Sequence, residues 1–363
     1  MKKLLYFALV EKRTNDAYYQ KVISQVNEFN KHFDTELICL TKRKKKINLL
    51  IKIKSYLIFY INIIKFLKHE SPNVIYFRHP AHNLILIFLL AYYKIFFKKS
   101  LIIEEIPTFP LENLNLRIQK NLLAYSYTLL QFFLRFLSSL FTNKYTVIGG
   151  KGYFFFKDTL EISNGLVSNK SFFRNKKISK LKLLVIANLS ERHGIDKLIY
   201  SMKNFKKKAC FTIIGDGKEK KKLIKIVKEN NLSKKIIFKN YLNLSQISEI
   251  INNYDVGIGN LGFYRIGVKN TSALKELLYL KYGLPVVYSG YNKIYKKFNN
   301  KIFFKVKNNN KNIDLYKIHK FSQKFWLNKK KKFLYKELYK DLSWTNSMKD
   351  LVSYIKNAHQ TTH

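Results

Sequence analysis

The chain has 363 residues, 47% of them hydrophobic and 15% aromatic, which is long and apolar enough for two domains with their own cores and excludes a disordered chain. Sixty-eight Lys and Arg against 23 Asp and Glu leave a formal charge of +45, which favours anionic partners: phosphorylated substrates, anionic lipid headgroups or nucleic acid. No charge-free apolar run reaches the roughly 18 residues that span a bilayer, and two distant cysteines, Cys39 and Cys210, imply no disulfide framework and fit a reducing compartment.

The start, Met1-Lys2-Lys3 and then the apolar run 4–10, imitates a signal peptide. It runs into Glu11-Lys12-Arg13 without a small-residue cleavage site, so it reads as a first strand. From there short apolar strands alternate with longer helical patterns, the signature of βαβ units on parallel sheets and an α/β fold. Strands are expected at 3–10, 35–41, 73–78, 100–105, 144–149 and 159–163 in the first half. In the second they are expected at 181–189, 209–215, 234–238, 255–259, 284–288 and 301–306. The basic, polar stretch 168–180 separates a first domain, 1–167, from a second, 181–341. The remainder, 342–363, carries a final amphipathic helix over 348–355 and a tail.

Three apolar segments of the first half carry buried-or-membrane character. Segment 47–70 holds Lys54, Lys65 and Lys68, whose spacing puts them within about 60° of one another on a helix. Asn62 extends that face and Lys52 falls on the other side; the lysine-rich run 42–46 precedes it. Segment 84–97 ends in Lys98-Lys99, and segment 118–141 carries Arg135 among Phe132, Phe133 and Phe136. Basic amphipathic helices of this kind lie in the headgroup layer of an anionic membrane, so such a surface is an expected partner. Packing of the same helices on a sheet is the simpler alternative.

Phosphate is held well at helix starts, where N–H groups lack partners and the macrodipole is positive. Three turns of the second half suit this. One spans 188–194, with Asn188, Arg192, His193 and Gly194. The next is Gly215-Asp216-Gly217. The third, Gly267-Val268-Lys269-Asn270-Thr271-Ser272, leads into a helix at 273–282 containing Lys275, with Thr271 and Ser272 as N-cap types. In the first half, Arg78-His79-Pro80 and Glu105-Ile106-Pro107-Thr108-Phe109-Pro110 follow strands, where open α/β sheets place ligands.

Taken in order, Ala187-Asn188-Leu189-Ser190, His193-Gly194-Ile195-Asp196, Ile214-Gly215-Asp216-Gly217, Lys275 and Gly283-Leu284-Pro285-Val286-Val287 resemble the donor half of family 4 GT-B glycosyltransferases. With Asn164-Gly165 and the Arg78 and Glu105 segments, the likeness is to the branch found in bacterial surface-polysaccharide clusters. It implies two Rossmann-like domains facing a central cleft, with the last helix crossing back to the first domain. It implies transfer from a nucleotide sugar, a UDP-sugar foremost, to a lipid-pyrophosphate-linked saccharide, with retention of configuration. The implied setting is capsule, O-antigen or exopolysaccharide synthesis, cytoplasmic and peripheral on the inner face of the plasma membrane. The implied donor residues are Asn188, Arg192, His193, Gly194, Gly215, Gly217, Lys269, Thr271, Ser272 and Lys275. Arg78, His79 and Thr108 are assigned to the acceptor.

The chain departs from the family at one place. Two glutamates eight positions apart are usual there, and this sequence has Asn270 and Leu278 instead. Glu276 is offset by two residues, about 200° around a helix. Asn270 is expected to hydrogen-bond a sugar hydroxyl. Glu105 is read either as a catalytic base or as a strand-end residue paired with Arg78 or a lysine. A non-catalytic subunit partnering an active transferase is the rival reading. No metal is expected, since His79 and His82 lack a third ligand and no Asp-x-Asp occurs. Nucleic acid is not an expected partner, because the lysines are scattered and no reading motif appears.

Overall fold

A computed structural model describes residues 1–14, 16–40, 49–107, 121–166 and 177–358. The chain divides into two compact units, Met1–Ser163 together with Trp344–His363, and Asn164–Ser343.

The strands of the first unit are β1 (Lys3–Glu11), β2 (Asp34–Leu40), β3 (Val74–Arg78), β4 (Leu101–Ile106), β5 (Lys144–Ile148), β6 (Tyr153–Phe154) and β7 (Lys157–Ile162). Its helices are α1 (Ala17–Phe29), α2 (Leu49–Glu70), α3 (Leu84–Phe96) and α4 (Leu122–Ser139). In the second unit come β8 (Leu181–Ile186), β9 (Ala209–Ile214), β10 (Ile236–Lys239), β11 (Val256–Ile258), β12 (Val286–Tyr288) and β13 (Phe303–Lys305). Between and after them lie α5 (Ile195–Lys203), α6 (Lys220–Glu229), α7 (Leu244–Ile250), α8 (Leu274–Lys281), α9 (Lys293–Lys297), α10 (Leu315–Leu327) and α11 (Lys331–Asp341). The closing helix, α12 (Trp344–Asn357), belongs to the first unit.

The first sheet has the order β2-β1-β3-β4-β5-β7-β6 and is parallel except for the β6–β7 hairpin. Side chains alternate across it. Leu4, Tyr6, Val74 and Tyr76 pack with α1 and α12, while Leu5, Phe7, Ile75 and Phe77 pack with α2 and α3. With both faces covered, the strands read as continuous apolar runs, which is why they are visible in the sequence. The hairpin is not, because its turn is Phe155-Phe156, with φ of 44° and 65° where Asn and Gly are usual. Helix α12 starts at Trp344, earlier than its apolar pattern suggests, and buries Trp344, Met348, Leu351, Val352 and Ile355 in the first unit's core.

The second sheet is fully parallel, in the order β10-β9-β8-β11-β12-β13. Leu183, Val185, Phe211 and Ile213 face one core; Leu184, Ile214, Val286 and Tyr288 face the other. The second unit begins at Asn164, ahead of the boundary expected at 167. The Asn164 N–H donates to Ser272 Oγ at 3.0 Å and the Leu166 N–H to the Leu342 carbonyl at 2.7 Å, which ties this segment to the second unit. Residues 168–176 of the expected linker lie outside the described residues.

Each sheet has one topological switch point, between β1 and β3 in the first and between β8 and β11 in the second. Open α/β sheets bind ligands at the carboxyl ends of the strands there. Among the described residues no helix is long and apolar enough to cross a membrane.

Candidate functional sites

β8 runs out into exposed Asn188 and a 3-10 turn, Glu191–His193. Gly194 ends that turn in the left-handed region, φ 58°, and a Cβ there would stand 2.7 to 2.9 Å from the backbone of Leu261 and Gly262. This close approach joins the loops after β8 and β11. The Leu261 N–H donates to the His193 carbonyl and the Gly262 N–H to the Arg192 carbonyl, both at 3.1 Å. The loop after β9 reaches the same end: the Leu189 N–H donates to the Asp216 carbonyl at 2.6 Å, between Gly215 and Gly217.

His193 is buried between the joined loops. Its Nε2 lies 2.9 Å from the Asn188 carbonyl oxygen. Its Nδ1 lies 2.6 Å from Asn260 Oδ1 and 3.2 Å from the Lys275 ammonium. Burial, reinforced by the cations Lys275 and Arg192, holds this imidazole well below the usual histidine pKa. The ring is therefore neutral. His193 thus bridges the joined loops and stands beside Lys275.

Helix α8 starts at Leu274, and its N-cap residue is Ala273, which has no capping side chain. Thr271 and Ser272 are not the caps the sequence suggested, because each hydroxyl has another partner. The Thr271 hydroxyl lies 3.0 and 3.1 Å from the Glu276 carboxylate oxygens, and Ser272 Oγ accepts from Asn164. Glu276 caps instead, accepting from the Ala273 N–H at 3.3 Å and the Asn260 N–H at 3.4 Å. Gly259 makes room for it, since a Cβ there would lie 2.4 Å from Glu276 Oε1. Leu278 packs against the core containing Leu280, Leu284 and Val286, turned away from Glu276 as the helical offset requires. Lys269 is exposed and Asn270 half-buried, in a segment that pairs with Tyr291.

The site thus brings together Asn188, His193, Gly194 and Lys275, with Gly215 and Gly217 alongside. It adds Asn260, whose signal is the run Gly259-Asn260-Leu261-Gly262 directly after an apolar strand, and Glu276, which its two-residue offset sets apart from Leu278. Asp196, an acid in the first turn of α5, is neutralised by a bidentate pair with Arg265 at 2.9 and 2.7 Å.

Burial lowers Lys275 to a pKa of about 7, with Glu276 opposing and Arg192 adding to the shift. An anion bound here would draw the proton back. Pyrophosphate or a nucleoside diphosphate is expected to bind with proton uptake, and more weakly as pH rises through about 7. Calorimetry in two buffers of different ionisation enthalpy measures the uptake, and Lys275→Met is expected to abolish it.

In the first unit a cavity of about 340 Å³ lies at the carboxyl ends of β1 and β3, lined by residues including Glu11, Arg13, Asp16, Tyr18, Arg78 and Pro80. Asp16 occupies the turn after β1 as the N-cap of α1, accepting from the N–H groups of Tyr18 and Tyr19 at 2.8 and 3.0 Å. The Arg78 guanidinium stands over the Tyr18 ring, 5.5 Å from its centroid, and Arg78 Nε is 3.6 Å from Glu105.

Glu105 is fully buried beneath this pocket. It is ion-paired to Lys21 and accepts from Gln25 Nε2 at 2.6 Å and the Tyr76 hydroxyl at 2.9 Å. Burial alone would raise its pKa. Lys21 and Arg78, with hydrogen bonds from Lys21 and Gln25, outweigh burial and hold it at about 2. A carboxylate so saturated is a poor proton acceptor, so its place fits the paired strand-end reading better than that of a base. His79 is also buried, its Nε2 3.1 Å from the Tyr60 hydroxyl, and burial with neighbouring His82 lowers its pKa to about 3. Pro80, rather than His79, is among the pocket lining. Thr108 lies outside the described residues. Helix α4 holds this loop: Gln131 accepts from the His82 N–H at 2.8 Å, and Arg135 donates to Glu104 at 2.8 Å and to the Pro80 carbonyl at 2.9 Å.

Residues 168–315 match the family of glycosyl transferases group 1. No curated protein matches the chain. Several solved structures share its fold. Sucrose-phosphate synthase from Thermosynechococcus elongatus has a TM-score of 0.65 at 10% identity, covering 100% of this chain and 99% of that one. The lipopolysaccharide outer core galactosyltransferase WaaB has a TM-score of 0.57 at 11% identity, covering 100% of both. Anabaena HepE in complex with UDP-glucose has a TM-score of 0.56 at 12% identity, covering 100% and 99%. At such identities the likeness speaks for the fold, and the family match speaks for the second unit. That unit carries a group 1 glycosyl transferase domain over residues 168–315, and the chain has the GT-B fold.

Proposed function

We propose that the chain moves a sugar from a nucleotide sugar, a UDP-sugar foremost, to a lipid-pyrophosphate-linked saccharide at the cytoplasmic face of the membrane. The product would enter capsule, O-antigen or exopolysaccharide assembly. The observation that carries this reading is the half-buried Lys275, 3.2 Å from His193 Nδ1 at the β8–β11 switch point. HepE, a structural neighbour, is seen with UDP-glucose, which supports the same donor class here.

In the proposed reaction the bond from the anomeric carbon to the diphosphate oxygen breaks, and its electron pair leaves with the diphosphate. Lys275 and the N–H groups of Leu274 and Lys275, which have no intrahelical acceptor at the start of α8, meet the growing charge. Arg192 and Lys269 add positive potential, so the proposed step uses no metal. The acceptor hydroxyl oxygen bonds to the anomeric carbon from the same face, and its proton passes to the departing diphosphate. Configuration is then retained. Asn270 would hydrogen-bond a sugar hydroxyl. The acceptor would sit at the pocket beside Arg78, with Glu105 fixing the guanidinium. The lysines of α2 would meet an anionic membrane surface.

A second reading, a non-catalytic subunit beside an active transferase, is favoured by Asn270 and Leu278 at the places where the family resembled usually has its two glutamates. Incubating the purified chain with labelled nucleotide sugars and lipid-pyrophosphate saccharides tests both. Transfer with retained anomeric configuration, read by proton NMR, supports the first. Transfer only when a companion transferase is added supports the second.

A further inference from the structure

Helix α4 is amphipathic in the inverse sense for a helix on a sheet. Thr128, Gln131, Arg135, Ser138 and Ser139 are buried, with Leu134 the one apolar residue among them. Leu122, Leu123, Leu130, Phe132 and Phe133 are 79, 83, 52, 53 and 55% exposed. Burial of apolar surface alone would turn this helix over. The bonds of Gln131 and Arg135 to the loop after β3 and to Glu104 hold it as it is.

Beside α4 stands the Phe155-Phe156 turn. Both residues have positive φ, 44° and 65°, a conformation that bulky side chains rarely adopt. Phe155 meets the edges of Phe132 and Phe136, with ring centroids 5.2 and 5.9 Å apart. Phe156 projects outward, 92% exposed. Strained residues of this kind cluster where they have a function. Helix α3 lies next to α4 and continues the apolar surface through Phe88 and Phe96, 71 and 66% exposed.

The surrounding charge selects the occupant. Residues 49–100 and 121–141 contain one carboxylate, Glu70, which is paired with Lys3. Lys52, Lys54, Lys65 and Lys68 on α2 are exposed. A second copy carrying +45 would be repelled, whereas an anionic bilayer offers both hydrocarbon and opposite charge.

We propose that the outer face of α4 and the Phe155-Phe156 turn seat in the apolar layer of an anionic bilayer, with the α2 lysines among the headgroups. This deepens the membrane part of the reading above and rests on it. The test uses the purified full chain and vesicles of phosphatidylcholine, alone or mixed with phosphatidylglycerol. A Phe156→Trp variant reports on the turn, because the two native tryptophans, Trp326 and Trp344, are 4 and 6% exposed. Its fluorescence is expected to shift to the blue and to be quenched by acyl-chain-brominated lipid in the anionic vesicles. The double variant Phe155→Asn, Phe156→Gly supplies residues that suit the turn. It is expected to melt at a higher temperature yet to bind vesicles at least about tenfold more weakly, since a variant that merely misfolds would melt lower. Unchanged vesicle binding by the double variant, or bound Phe156→Trp without quenching, would overturn the proposal. A lipid-independent dimer that the double variant dissociates would reassign the face to a second copy and overturn it as well. Donor binding measured without lipid decides the transferase reading separately.

Discussion

Glu276→Ala is expected to lower the stability of the second unit by about 3–5 kcal/mol, since each buried donor left without an acceptor costs about 1–3 kcal/mol. The carboxylate is fully buried and serves the Thr271 hydroxyl, the Ala273 N–H and the Asn260 N–H at once. Truncation strands all three and removes from beside Lys275 the anion that opposes its deprotonation. Burial raises the Glu276 pKa, and Lys275 with the hydrogen bonds only partly offsets this. Glu276→Gln keeps an amide oxygen for the same donors and is expected to lose about 1 kcal/mol. Urea denaturation followed on the second unit separates the two variants. Wild-type stability in Glu276→Ala would mean that the α8 start is held by something else.

Glu105→Ala is expected to destabilise the first unit by a similar amount, about 3–5 kcal/mol, because Lys21 and Arg78 lose their shared anion. The sign of the pH dependence follows from a folded pKa of about 2 against an ordinary value of 4.5. The folded state binds fewer protons, so this contribution is complete above about 4.5 and is lost as pH falls through about 2. Acid unfolding of wild type and Glu105→Gln compares them, and the variant's stability is expected to be flatter across that window. A general base would behave differently: Glu105→Gln would abolish turnover while leaving the acid transition in place.

Much of this fold is legible in the sequence, and the parts that are not have common physical causes. The parallel strands show because both faces of each sheet are covered, so each reads as an apolar run. The β6–β7 hairpin hides because Phe155-Phe156 carries none of the usual turn chemistry. Thr271 and Ser272 are good local cap residues, yet their partners, Glu276 and Asn164, are set by the tertiary structure. The charge of His193 depends on burial, which spacing does not reveal. Glu105 was open between two readings because its lysine partner is 84 residues away on α1. The apolar character of α4 is plain in the sequence, but periodicity gives a stripe without saying which side faces the sheet.

The central claim is that Lys275, at the β8–β11 switch point, holds the diphosphate of a nucleotide sugar. Calorimetric titration of wild type and Lys275→Met with a panel of nucleotide sugars and with pyrophosphate, at about 150 mM salt to screen surface charge, tests it most directly. One nucleotide class is expected to bind at least about tenfold more tightly than pyrophosphate, and Lys275→Met to weaken that binding by about tenfold or more. Equal binding of every polyanion, or an unchanged affinity in Lys275→Met, would contradict the account.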